Sequence, residues 1–175
     1  MSQPILRTER IRLVPLSAGH LEHLAELSAD PEVMRYLAGV LTREQAAEEL
    51  RKTLAYAGGG LGCWAGFVEA GFAGFWSLRP GESAGQAELG YRLHRRHWRK
   101  GLAKEGGREM LRHAFRDVGL DRVYARTAAA NKGSQATMAA IGLRHVRDFV
   151  ADPEYFSPGD DRHAVEYAIG REEWA

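Results

Sequence analysis

Cys63 is the only cysteine in 175 residues, so the chain holds no intramolecular disulfide. In the strand-like run Leu61 to Glu69 it reads as a small buried apolar residue of a reducing compartment, not as a nucleophile or ligand. No stretch approaches the roughly 18 continuous apolar residues of a membrane span. The opening residues, Met1 to Glu9, lack the basic-then-apolar pattern of a secretory signal. The expectation is a cytoplasmic protein with no membrane partner. An excess of one charge is missing too: 24 Lys and Arg face 23 Asp and Glu, for a net charge of +1. That balance gives no global attraction to nucleic acid, and none is expected as a partner. His94, His97, His113 and His145 are scattered, and none stands at a metal-ligand spacing from Cys or Asp, so no metal is expected. The Gly-Lys-Ser/Thr ending of a P-loop does not occur, nor do three glycines at the spacing of a dinucleotide fingerprint.

What is present is a series of periodic segments with no repeat, low-complexity tract or dividing linker. A chain of this length carries one full core, and residues 1–175 read as one domain. Residues 5–16 read as a first strand, and Ser17 stands where a cap would, before Leu21, Leu24, Ala25 and Leu27. Asp30-Pro31 predicts a further short helix, with Asp as cap and Pro at the first helical position. Thr42 and Gln45 have capping-box spacing, predicting a helix to about Ala57 that stops at Gly58-Gly59-Gly60. The runs Leu61–Glu69 and Phe72–Leu78 flank Gly71 as a hairpin, and Gln86–Leu93 reads as another strand.

From Leu102 the period becomes helical. Leu102, Ala103, Gly106, Gly107, Met110, Leu111, Ala114, Phe115 and Val118 share one stripe, and Gly119 is the stop. Each of the two inner glycines costs about 1 kcal/mol of helix propensity against alanine. Their use would be close approach of this helix to the sheet. Arg122–Thr127 reads as a strand, Ser134–Ile141 as a short helix, and Arg144–Val150 and His163–Ile169 as the last strands. The order implies an α/β layer domain with a mixed sheet.

Chemistry gathers at the segment from Trp98 to Lys104. Arg92, Arg95, Arg96, Arg99, Lys100, Lys104 and Arg108 surround it, opposed by Glu105 alone. A glycine turn after a strand, opening an amphipathic helix among cations, is an anion cradle: unpaired N–H groups and the positive end of the helix dipole face the ligand. A phosphate or pyrophosphate is the first expectation, and a solvated arginine-rich loop the alternative.

Ala87-Glu88-Leu89-Gly90-Tyr91-Arg92-Leu93, followed by Trp98-Arg-Lys-Gly101-Leu-Ala103-Lys-Glu105, resembles the acetyl-CoA-binding core of the GNAT N-acetyltransferases. Asn131-Lys-Gly-Ser134 leading to Ile141-Gly142-Leu143 is similar to the RimJ and RimL branch, which acts on ribosomal-protein N-termini. Thr8-Glu-Arg-Ile-Arg-Leu, Asp30-Pro-Glu-Val-Met-Arg-Tyr-Leu and Tyr167 with Arg171-Glu-Glu-Trp174 extend the likeness along nearly the whole chain. Trp98 departs from the broad superfamily pattern, where Arg or Gln is common, though Trp is familiar in this branch.

The resemblance implies a single-domain GNAT-like α/β fold. Its mixed, mostly antiparallel sheet would have about seven strands flanked by helices, with the co-substrate between the splayed fourth and fifth. Backbone N–H groups among Arg99, Lys100, Gly101, Ala103 and Lys104 would hold the pyrophosphate of acetyl-CoA. The strand edge ending at Leu93 would pair with the pantetheine arm, and Asn131 would bind CoA at the next helix start. Acetyl transfer needs a base for the amine, a donor for the developing oxyanion and a proton for the leaving thiolate. Glu88 is the candidate base, or a solvent-facing strand carboxylate. Ser134 is the candidate acid, or a serine whose hydroxyl caps its helix, and the two roles are compatible. A backbone N–H near Leu93 is the expected oxyanion donor.

His163, before the last strand, is a candidate for the substrate end of the cleft or a structural histidine. The acceptor would be an amine, a protein N-terminus or a small molecule such as an amino acid, polyamine or antibiotic. Acidic residues in the Asp152–Asp161 loop would suit a cationic amine or simply form a surface loop. A non-catalytic CoA-binding module and an RNA-binding domain are the competing classes, and the chain would be a monomer or homodimer.

Overall fold

Strand pairing organises the chain into one eight-stranded sheet, in the order β1-β2-β3-β4-β5-β6-β8-β7. The computed structural model describes residues 1–174. The strands are β1 (Leu6–Arg7), β2 (Arg12–Pro15), β3 (Gly62–Val68), β4 (Gly71–Pro80), β5 (Gln86–Leu93), β6 (Arg122–Ala128), β7 (Arg144–Val150) and β8 (His163–Gly170). The helices are α1 (Leu21–Ser28), α2 (Arg43–Ala55), α3 (Leu102–Arg112) and α4 (Lys132–Ala140). All pairings are antiparallel except β5 with β6. Among the described residues, no helix is long and apolar enough to cross a membrane.

The count of eight corrects the expected seven. Residues 5–16 do not form one strand, because Thr8 closes a tight turn: its N–H donates to Ile11 O at 2.9 Å, and β1 folds back on β2. The expected fourth and fifth strands are therefore β5 and β6. The short helix expected after Asp30-Pro31 is instead a run of turns over residues 31–38. Asp30 caps it locally, accepting the Glu32 N–H at 3.0 Å. The Thr42–Gln45 capping box forms in both directions, at 3.2 and 2.8 Å, and starts α2.

Two cores lie on opposite faces of the sheet. Cys63 and Ala65 of β3, with Phe72 and Phe75 of β4, pack beneath Leu24 and Leu27 of α1 and Ala46 and Leu50 of α2. Trp64, Trp76, Leu78, Ala87, Leu89 and Leu93 face the other way, onto Met110 and Leu111 of α3 and Met138 of α4. This is the period-two alternation of a strand buried on both sides. Phe72 and Phe75 break the parity yet share a face because the β3–β4 register slips at Gly66/Phe67, leaving Ala73 as a bulge.

Helix α3 crosses Trp76 at Gly106, where a Cβ would stand 2.3 Å from the indole Nε1. That contact requires glycine and places the helix start against the end of β5. Past Arg112 the helix widens into a π turn, His113–Val118, and stops at Gly119 with φ 81°. The fully buried His113 occupies that turn, bonded to Gly60 O at 2.8 Å and Asp117 Oδ2 at 2.9 Å.

Candidate active site

β5 and β6 run side by side only briefly. Gln86, Ala87 and Glu88 pair with Arg122, Val123 and Tyr124, and beyond Glu88 the two strands part. β5 meanwhile stays paired with β4 along its whole length, from Ala87–Pro80 to Leu93–Gly74. The His94 N–H donates towards β4, to Ala73 O at 2.9 Å. By alternation the N–H and C=O groups of Leu89, Tyr91 and Leu93 point to the β6 side, where the gap opens. The Leu93 carbonyl is taken by the Trp98 indole N–H at 2.9 Å, leaving its N–H on that edge.

At the open end of the gap lies the start of α3. Arg99 (φ 60°) and Gly101 (φ 77°) both have left-handed backbone, which turns the chain sharply into the helix. Gly101 is the N-cap and has no side chain to shield the first N–H groups. Arg99 and Lys100 are exposed beside it, and neither they nor Lys104 form an ion pair among the described residues. A cradle of free N–H groups, absent Cβ and uncommitted cations fits a pyrophosphate.

The cradle is held from a distance that sequence spacing did not reveal. Glu105 Oε1 accepts the Thr8 hydroxyl at 2.6 Å and the Arg10 N–H at 2.8 Å, while Oε2 accepts Arg10 Nε at 2.7 Å. Arg10 Nη1 also donates to Lys100 O at 2.8 Å. The β1–β2 turn thus clamps the first turn of α3. Burial alone would raise the Glu105 pKa, but the bonds from Thr8 and Arg10 hold it below the ordinary carboxylate value.

The candidate base and acid stand on opposite faces of β5. Glu88 shares the α1–α2 face with its register partner Arg79 on β4. Burial raises its pKa, against the pull of Arg126 and Arg79. Ser134 lies on the other face, in the first turn of α4, where Tyr91 meets it. The Tyr91 hydroxyl is 3.0 Å from both Ser134 Oγ and Ser134 O. Burial pushes the Tyr91 phenol up to about 12, so it stays protonated. The serine hydroxyl does not cap the helix. Asn131 is the N-cap, its Oδ1 accepting the Ser134 N–H at 3.2 Å. Tyr91 was the missed member of the site, since no tyrosine lies in α4 itself and the pair forms across 43 positions of sequence.

The remaining candidates fall outside this gap. His163 is exposed at the start of β8, bonded to Asp161, with its carbonyl taken by the Ala129 N–H at 2.9 Å. Cys63 is buried, and burial pushes its thiol up to about 12. Beyond Glu88 the α1–α2 face carries a network centred on buried Glu166. It accepts Arg122 and Arg126 at 3.0 Å and Arg147 at 3.1 Å, and Arg126 also reaches Glu82 at 2.6 Å.

The sheet and gap have clear relatives. The family described as "Acetyltransferase (GNAT) domain" matches residues 10–144. The chain is 39% identical over 185 residues to the FsC-acetyl coenzyme A-N(2)-transacetylase of Aspergillus fumigatus, covering 99% of this chain and 79% of that protein. A GNAT-family acetyltransferase from Bacillus anthracis superposes with a TM-score of 0.84 at 22% identity, over 97% of this chain and 99% of its own. A RimL ribosomal α-N-protein acetyltransferase solved with coenzyme A superposes with a TM-score of 0.82 at 16% identity, over 95% and 97%. The parted parallel strands, the cradle at the start of α3 and these likenesses agree, and the chain belongs to the GNAT acetyltransferases, acyltransferases that draw on acetyl-CoA.

Proposed function

We propose that this chain moves the acetyl group of acetyl-CoA onto a primary amine of a small molecule. The observation that carries the reading is the parting of β5 from β6 just after Glu88, with a carboxylate on one face and a hydroxyl pair on the other. Support for a small-molecule acceptor comes from the Aspergillus relative, named for transfer to N(2) of FsC. The likeness to RimL, at 16% identity, concerns the fold alone.

Acetyl-CoA supplies a thioester whose carbonyl carbon is open to a neutral amine. Backbone N–H groups from Arg99 to Lys104 hold its pyrophosphate, the Leu89–Leu93 edge holds the pantetheine arm, and Asn131 contacts CoA beside α4. Glu88 takes the proton that the amine sheds as the N–C bond forms, directly or through water. The Leu93 N–H, on the open edge, stabilises the oxygen as it gains charge. As the C–S bond breaks, Ser134 gives its own proton to the sulfur while Tyr91, itself protonated throughout, orients that hydroxyl. Glu88 then releases the amine's proton to solvent, and Ser134 regains one from solvent. The raised pKa of Glu88 suits a base that must hold a proton briefly and release it.

The test is thiol release from acetyl-CoA over amino acids, polyamines, aminoglycosides and peptides. Amine-dependent release with the small molecules supports the reading. Preference for peptides would favour a protein N-terminus, and acetyl-CoA binding without release would make the chain a CoA-binding module.

A further inference from the structure

Arg92 is on the α1–α2 face of β5, two positions beyond Gly90 and four beyond Glu88. Its register partner is Phe75, which packs under α1 and α2. Across the gap, Arg122, Arg126 and Arg147 all bond to Glu166. Arg92 has no carboxylate bonded to it, nor has Arg79, the exposed register partner of Glu88 on β4. The one side-chain partner of Arg92 is the thioether of Met34, with Nη1 3.1 Å from Sδ, and it forms no ion pair among the described residues. Met34 itself is buried, in the run of turns between α1 and α2.

A guanidinium carries five donors in a planar fork suited to carboxylate, and a thioether is a weak acceptor for it. Burial lowers the Arg92 pKa, and Glu49 of α2 counters this only through space. The charge also acts on the Cys63 thiol. Cys63, Ser77 and Gly90 form one row across β3, β4 and β5, and Gly90 lies between Arg92 and Glu88 on the face of β5 they share. Gly90 has no side chain to stand between them, and a Cβ there would meet Ser77 Oγ at 2.8 Å. A half-buried cation with no bonded carboxylate, a soft displaceable neighbour and a position without a side chain between it and the candidate base make a half-built ion pair.

On the reading above, we propose that Arg92 is the acceptor anchor: it binds a carboxyl oxygen group carried by the substrate, displacing Met34, and so presents the substrate amine to Glu88. The acceptor is then an amino-acid-like molecule, an amine with a carboxylate or carboxyl ester a few bonds away. A simple polyamine lacks the second handle.

The experiment compares L-lysine, L-lysine methyl ester and 1,5-diaminopentane as acceptors for native protein, Arg92→Met and Arg92→Lys. The native protein should prefer the lysine compounds over the diamine in kcat/KM. Arg92→Met should shrink that preference by about 10- to 100-fold, the worth of a charged hydrogen bond. Arg92→Lys should restore part of it, and acetyl-CoA affinity should hold in both variants. Preference for the free acid over the ester identifies the carboxylate as the group read, and equal preference identifies the carbonyl oxygen. Calorimetric titration of the same three compounds into CoA-loaded protein reads the anchor without turnover. Absence of turnover with lysine binding that depends on Arg92 would defeat the acetyltransferase reading and leave the anchor standing. A native protein that does not discriminate the diamine, or an Arg92→Met variant that weakens all three compounds alike, overturns the assignment.

Discussion

The Tyr91 hydroxyl lies 3.0 Å from the Ser134 hydroxyl, which ties β5 to the first turn of α4 on the side of the gap away from Glu88. A proton donor to a leaving thiolate needs a hydroxyl whose orientation is fixed and whose own proton is replaced. Ser134→Ala should slow the chemical step in single-turnover kinetics by about 10²-fold, the low end for acid–base catalysis. Tyr91→Phe should slow it less. An unchanged step in Ser134→Ala refutes the acid role.

Glu88→Gln should lower turnover by about 10²-fold or more, with acetyl-CoA affinity retained. The native rate should fall as pH drops through the raised Glu88 pKa, and the variant should lack that limb. Stability moves the opposite way. A carboxyl whose folded pKa lies above its unfolded value binds more protons when folded, so its charged form costs stability as pH rises through that window. Glu88→Gln should therefore raise Tm at neutral pH, with the gain gone in acid. Native turnover by the variant across pH 6–9 would remove Glu88 from the mechanism.

Gly106→Ala gains helix propensity but sets a Cβ 2.3 Å from Trp76 Nε1. Trp76 is fully buried and has nowhere to go. Overpacking should win, at about 1–3 kcal/mol or roughly 2–12 °C in Tm. A neutral or raised Tm would contradict the close approach of α3 to β4.

Glu105→Gln tests the clamp on the start of α3. The side chain is 19% exposed and holds Thr8 and Arg10, so the variant should lose about 1–2 kcal/mol at pH 7. The folded pKa of Glu105 is lowered, so the native advantage is present above the unfolded value and is lost as pH falls through the folded one. Acetyl-CoA should also bind more weakly as the cradle loosens. Denaturant midpoints that coincide at pH 7 would dismiss the clamp.

Gly101 separates backbone strain from charge. At φ 77° an alanine is strained, at about 1 kcal/mol, whereas a glutamate adds an anion to an anion cradle. By calorimetry Gly101→Ala should weaken acetyl-CoA binding several-fold and Gly101→Glu should abolish it. Equal affinity in the two variants would place the pyrophosphate elsewhere.

Local signals were legible in the sequence wherever one element carried them. The stripe of α3, its stop at Gly119, the capping box of α2 and the hairpin around Gly71 need only neighbours a few residues apart. The β1–β2 break hid inside a run of apolar and basic residues because Thr8 turns the chain with a single backbone bond. Asp30-Pro31 has the chemistry of a helix cap, yet the chain after it forms turns that bring Met34 over Arg92. Contacts such as Thr8 with Glu105 and Tyr91 with Ser134 join residues 97 and 43 positions apart. Such pairs leave no periodic trace, and only the packed sheet brings them together.

The central claim is amine-dependent deacylation of acetyl-CoA in the β5–β6 gap, and thiol release by the purified native protein over a panel of primary amines tests it most directly. The account predicts release that requires an amine, saturates with acetyl-CoA and is fastest with amines that also carry a carboxyl group. Tight acetyl-CoA binding with no amine-dependent release on any member of the panel would contradict it.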